Sequence, residues 1–235
     1  MANKDNNEFV SLGIKLVNGH ILVDDVQGLV VDTGSPQSFH ESGRIEFEKF
    51  CADVATSLPG VLCDYLSKKI GVDVHGVLGM DIIGRHWTQI SLKDNLMFIN
   101  DDAPNGFQLR SLQLPMNMLG MIITINGWDA RMVVDTAAPV SYINQRYVRE
   151  LECVDRVTDF SPYCGDFETE VYECETDLGV GVYDSKYTQR YGTPPPIVAL
   201  MLERLNVDGI IGVDLFKRFR LQFINGQILF PPQGI

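Results

Sequence analysis

The chain has 235 residues, 45% of them hydrophobic and 21% charged, with a formal net charge of −12. This length suits one two-part unit or two small domains sharing a core, and the composition is that of a soluble globular protein. The acidity speaks against nucleic acid or an anionic membrane surface as partner, because phosphate-rich surfaces need a basic face.

The chain opens with a polar stretch, Met1 to Glu8, that lacks the apolar centre of a signal peptide, and no run reaches transmembrane length. The five cysteines, Cys51, Cys63, Cys153, Cys164 and Cys174, are odd in number and form no C-x-x-C pair. They read as free thiols in a cytoplasm, and the spacing of Cys153, Cys164 and Cys174 matches no zinc pattern. Phe9 to Val23 alternates around Asn18-Gly19 and reads as a hairpin. It leads into Gly28-Leu29-Val30-Val31-Asp32-Thr33-Gly34-Ser35-Pro36, a short apolar β-rich run that ends in an acid, a hydroxyl residue and a glycine. Pro36 to Gly43 reads as loop, Arg44 to Phe50 as a strand, and Val61 to Ile70 as a helix stopped at Gly71. Gly76-Val77-Leu78-Gly79 is a second buried strand and Met80 to His86 a short helix. Trp87 to Leu92 and Leu96 to Ile99 pair across Asp94-Asn95.

Asp101 to Pro115 is rich in turn residues, though Phe107 to Leu114 alternates and has the pattern of a strand. The plan then repeats. Gly120 to Asp135 is a hairpin turning at Asn126-Gly127, followed by Ala130-Arg131-Met132-Val133-Val134-Asp135-Thr136-Ala137-Ala138-Pro139. The two acids lie roughly a hundred residues apart. Val198 to Leu205 matches the earlier helix, and Gly209-Ile210-Ile211-Gly212 matches the earlier buried strand. Asp214 to Arg218 is a short helix, and Arg220 to Phe223 pairs with Gln227 to Phe230 across Asn225-Gly226. Asp81 and Asp214 read as N-caps of the two short helices. Two phrases recurring in the same order mark an internal duplication.

One Asp-Thr-Gly alone would serve equally well as a strand-ending turn. Two copies related by a pseudo-two-fold axis would bring Asp32 and Asp135 face to face. Two touching carboxylates share one proton, so one is a base while the other is an acid. The interval from acid to buried strand is about thirty residues longer in the second half, and the excess falls around Asp155 to Pro196. Its alternating segments, Phe167 to Cys174 and Val180 to Tyr187, read either as a flap over the cleft or as an edge decoration. The histidines His20, His40, His75 and His86 are scattered and suggest no metal site.

The paired motifs resemble those of the aspartic peptidases, the pepsin and retropepsin group. Asp32-Thr33-Gly34-Ser35 matches that family's signature fully, Val77-Leu78-Gly79 and Ile210-Ile211-Gly212 match its later motif, and the hairpin before Asp135 is similar to a retropepsin's. The resemblance implies a mainly β, bilobal acid-protease fold with pseudo-two-fold symmetry and a few short helices. Residues 1–103 would form one retropepsin-like lobe, 104–115 a linker, and 116–235 the other lobe, with a flap insert at 155–196. It implies a monomeric aspartic endopeptidase acting on a peptide or protein substrate, with Asp32 and Asp135 catalytic and no metal or cofactor. Thr33, Gly34, Ser35, Thr136, Ala137 and Ala138 would form the supporting loops. The second motif has Ala137 where the family has glycine, which opens the alternative of an inactive binding or scaffold protein with the same fold.

Overall fold

A computed structural model describes residues 10–48, 50–100, 107–108, 111–179 and 186–230. Phe9, residues 104–106 and 109–110 of the 104–115 segment, Val180 to Ser185 and Pro231-Pro232 lie outside the described residues. The protein is mainly β, with four short α-helices among the described residues.

The first half begins with the hairpin β1 (Val10–Val17) and β2 (His20–Val23), whose turn places Asn18 and Gly19 at φ 46° and 83°. Both positive values suit a two-residue hairpin turn, which is why Asn-Gly stands there. Strand β3 (Leu29–Val31) is buried along its whole length and delivers Asp32. Strands β4 (Phe39–His40), β5 (Arg44–Phe47) and β6 (Phe50–Asp53) follow. Arg44 to Phe50 is therefore not one strand: the chain turns after Phe47, and Phe47 pairs with Phe50 in a small separate hairpin, their rings 6.0 Å apart. Helix α1 (Cys63–Ile70) buries Cys63, Leu66 and Ile70 on one face and ends where Gly71, at φ 83°, donates its N–H to the Ser67 carbonyl. Strand β7 (Gly76–Leu78), helix α2 (Met80–Ile83) and the hairpin β8 (Trp87–Ser91) and β9 (Leu96–Asn100) complete this half.

Two short strands, β10 (Phe107–Gln108) and β11 (Ser111–Gln113), cross to the second half. There follow β12 (Leu119–Ile125), β13 (Trp128–Val134) and β14 (Ser141–Ile143), then three strands inside the predicted insert: β15 (Asp155–Ser161), β16 (Gly165–Asp177) and β17 (Lys186–Gly192). Helix α3 (Pro196–Arg204), strand β18 (Gly209–Ile211), helix α4 (Asp214–Arg218) and the hairpin β19 (Leu221–Ile224) and β20 (Gln227–Phe230) end the described chain.

The strands form a ten-stranded sheet in the order β10-β20-β19-β8-β9-β1-β2-β3-β7-β4 and an eight-stranded sheet in the order β11-β12-β13-β18-β14-β17-β16-β15. Each half uses one local pattern to place its acid. The acid-bearing strand runs parallel to the glycine-apolar-apolar strand, with Val31 opposite Leu78 and Val134 opposite Ile211. The strand after the acid then lies antiparallel on the other side, with Phe39 opposite Val77 and Tyr142 opposite Ile210. Three backbones this close leave no room for a side chain. A methyl at Gly76 would lie 2.3 Å from the Phe39 carbonyl oxygen, and one at Gly209 would lie 2.2 Å from that of Tyr142. This is why both copies carry glycine there.

The C-terminal hairpin does not join the sheet of its own half. Strand β19 pairs with β8, and Gln222 sits opposite Gln89, the two side chains bonded at 2.6 Å. Leu78 and Val31 from one sheet and Met121, Val134 and Ile211 from the other fall in one continuous buried cluster, so the core is shared. Truncating such a residue to alanine costs about 2–5 kcal/mol. The duplicated acids after the buried strands are not helix caps. Asp81 lies inside α2, and its Oδ1 accepts from the Ser38 N–H at 2.8 Å, holding the loop after Asp32. Asp214 is the first residue of α4, makes no cap bond, and pairs with Lys217 at 2.7 Å. In both cases a neighbouring donor outcompetes the helix's own amides.

Candidate active site

Asp32 and Asp135 leave the ends of β3 and β13 side by side. The Asp32 amide donates to the Leu78 carbonyl at 3.0 Å and that of Asp135 to the Ile211 carbonyl at 2.9 Å, so each acid is fixed from behind by its partner strand. The loops that follow brace one another reciprocally. The Thr33 N–H donates to Thr136 Oγ1 at 3.0 Å, and the Thr136 N–H donates to Thr33 Oγ1 at 3.0 Å. Each hydroxyl passes its own proton across, Thr33 to the Val134 carbonyl at 2.8 Å and Thr136 to the Val31 carbonyl at 2.6 Å. Both threonines are fully buried, so four otherwise costly polar groups satisfy one another.

The carboxylates point out of this frame into the cleft. Asp32 Oδ1 accepts the amides of Gly34 at 2.8 Å and Ser35 at 2.9 Å, and Asp135 Oδ1 accepts the Ala137 amide at 2.8 Å. The two carboxyls lie close enough for each to act on the other's proton. Burial first, then the charge of Asp135, holds Asp32 well above the ordinary carboxylate value, while the Gly34 and Ser35 amides oppose the shift. Burial likewise raises Asp135, against the pull of the Ala137 amide and of Asp32. The pair therefore retains one proton far above the pH at which a free carboxyl would lose it, and that proton belongs to the pair.

Gly34 and Ala137 occupy matching places with different freedom. A methyl at Gly34 would lie 2.5 Å from the Asp135 carboxyl carbon. The Ala137 methyl is accommodated, half-buried against the apolar cluster of α1, β3 and β7. Ser35 turns its hydroxyl to the Gln37 carbonyl at 2.8 Å, and its own carbonyl accepts the Met80 amide at 2.9 Å. The matching Ala138 carbonyl accepts the Val213 amide at 2.9 Å. All eight residues singled out from the sequence thus lie in one place.

Above the pair is a cavity of about 500 Å³ with mostly apolar walls. One wall comes from the first half, including Val30, Leu66 and Val77, and the facing wall from the second, including Val133, Leu202 and Ile210. Part of its lining is the turn between β15 and β16, Ser161 to Tyr163, together with Phe160 and Phe167. Tyr163 is 58% exposed, yet burial and then the nearby charges of Asp32 and Asp135 push its hydroxyl pKa up.

This hairpin is tied on two adjacent rungs near its turn. On the rung Asp159–Phe167, Tyr142 of β14 donates its hydroxyl to Asp159 Oδ2. Near the tip, Asp166 reaches α1 of the other half, accepting from the Tyr65 hydroxyl at 3.1 Å and pairing with Lys69. Phe160 stacks on His20 at 5.5 Å and meets Tyr65 edge-on at 5.7 Å. Burial lowers the His20 pKa. Tyr163, Asp159, Tyr142 and His20 were not legible as site residues. One signal did exist: Ser38-Phe39 and Ser141-Tyr142 are repeat equivalents, and the extra hydroxyl at Tyr142 marks a contact that the first half lacks.

Among the described residues, no three His, Cys, Asp or Glu side chains gather as a metal would need, and no helix is long and apolar enough to cross a membrane. A scan against protein-family models gave no match, and a search of curated proteins gave none.

Proposed function

We propose that this chain is an aspartic endopeptidase of the pepsin and retropepsin kind, folded as two related lobes about a pseudo-two-fold axis. The observation that carries the reading is the pair Asp32 and Asp135, held side by side on a frame of reciprocal threonine bonds. The Gln89–Gln222 pair adds support, since equivalent residues of a duplicated chain meet directly only on a shared axis. A water between the carboxyls would lose a proton to the ionised partner as it attacks the amide carbon. The protonated partner would give its proton to the carbonyl oxygen, and the tetrahedral intermediate would then collapse with the proton delivered to the leaving nitrogen. The β15–β16 hairpin is the flap of this scheme, excluding bulk water.

A second reading, a binding protein of the same fold, draws on Ala137. Its methyl stands where the first copy has a glycine with no spare room. The deciding experiment is hydrolysis of a diverse peptide library from low to neutral pH by wild type, Asp32→Ala and Asp135→Ala. Cleavage by wild type and silence of both variants is expected. A folded wild type that cleaves nothing at any pH would favour the binding reading.

A further inference from the structure

The cavity above the acid pair contains a third carboxylate that the catalytic scheme does not use. Asp159 is 8% exposed and lines the cavity beneath the hairpin. Its oxygens accept from the Tyr142 hydroxyl and, at 2.7 Å, from the Phe160 amide. Neither donor is a cation. Among the described residues, no lysine or arginine lines the cavity. Lys69 of α1, the cation that ties the hairpin, is engaged by Asp166 and is not part of the lining. Of the described residues, His20 is the one basic side chain in the wall, and burial keeps its imidazole toward the neutral form. Asp159 is thus, among the described residues, a buried carboxyl group with no cation beside it, and its charge is costly unless something else supplies one. Its field also reaches Asp135 on the floor and His20 and Tyr65 on the facing side, so it is not confined to one wall.

We infer that the cleft selects a peptide carrying a lysine or arginine next to the residue pair held at Asp32 and Asp135, with Asp159 the specificity-determining group. The cationic head completes the ion pair that the protein leaves open, and its aliphatic stem lies along the apolar wall. An acidic side chain in the same place meets the charge of Asp159 and of the pair, and is rejected. The inference rests on the peptidase reading for cleavage, while the charge preference belongs to the cleft in either case.

The test uses one peptide scaffold with lysine, norleucine or glutamate on either side of the central bond. Each is made in a cleavable form and in a fluorescent form with a reduced, uncleavable bond. Wild type, Asp159→Asn and Tyr142→Phe are compared for kcat/KM and for Kd. Lysine is expected to exceed norleucine by about tenfold in wild type, the size of one charge interaction across a partly screened cavity. Asp159→Asn should abolish that preference. Tyr142→Phe, which removes the same hydrogen bond but leaves the charge, should keep it. Norleucine equal to or better than lysine in wild type overturns the inference and leaves the peptidase reading intact. So does a lysine preference that survives in Asp159→Asn. Lysine-selective binding without cleavage sinks the peptidase reading and keeps this one. Failure of every peptide both to bind and to be cut sinks both.

Discussion

At the scale of single residues, the two threonines do most to fix the geometry of the acids. Thr33→Val leaves the Val134 carbonyl and the Thr136 amide without partners in a fully buried place, and Thr136→Val does the same to Val31 and Thr33. Each substitution should lower stability by about 2 kcal/mol in urea unfolding. Each should also slow hydrolysis far more than the stability loss alone explains, because the acids shift relative to each other. The Gly34 position is stricter. A methyl 2.5 Å from the Asp135 carboxyl forces the pair apart, so Gly34→Ala should reduce kcat about 100-fold or more, as misplacements of order 1 Å do. Ala137→Gly should retain turnover, because it only removes atoms. The raised pair also has a stability signature. Below its ordinary value of 3.8 the Asp32 carboxyl holds a proton in both folded and unfolded chains. Above that value, and up to the raised one, only the folded chain holds it, so rising pH through this window draws stability away. Asp32→Asn should therefore melt higher than wild type near neutral pH, with the gap closing as pH falls toward 4.

At the scale of elements, the β15–β16 hairpin is the part of the cavity wall that the proposed scheme uses as its flap. Near its turn it is held on one side by a buried bond from Tyr142 to Asp159 and, one rung further out, rests on α1 through exposed charges. Such pairs are weak and screened by salt, so the contact with α1 yields before the bond to Tyr142. Lys69 lowers the Asp166 pKa, so this tie persists through neutral and weakly acid pH and is lost as pH falls through that lowered value. Lys69→Met should speed amide hydrogen exchange at residues 162–165 several-fold while leaving the core strands unchanged. Added salt should do the same to wild type. The sequence made the repeated elements readable because each copy carries its own physical demand: an apolar strand, an acid, and a glycine where three backbones converge. It left β15 unread because Asp155 to Ser161 has only a weak apolar alternation, and its neighbours Tyr142 and Tyr65 lie in distant elements. The strand expected over Arg44 to Phe50 was a hairpin because its apolar pattern continues through a turn without glycine or proline.

At the scale of the whole molecule, both acids come from one chain and meet across a shared core. Specific activity should therefore stay constant on dilution from about 1 µM to about 1 nM, whereas an obligate dimer would lose it. The duplication was visible from the two repeated phrases. The exchange of the last hairpin into the first sheet was not, because nothing in Leu221 to Phe230 names its partner. Leu221, Phe223 and Ile228 are fully buried in that foreign sheet. Ending the chain after Phe219 removes all three, a loss of the order of the 5–15 kcal/mol that holds a typical domain together, so no cooperative thermal transition should remain. The β8–β19 pairing also sets a timetable for synthesis. Gln89 waits for a partner 133 residues further along the message, on the order of ten seconds of translation. Throughout that wait the ribosome carries a sheet with an open edge, the kind of template on which neighbouring nascent chains pair wrongly. The last hairpin to emerge is the stopper that ends this exposure, and a message broken shortly before it yields a sticky fragment in place of a smaller working protein.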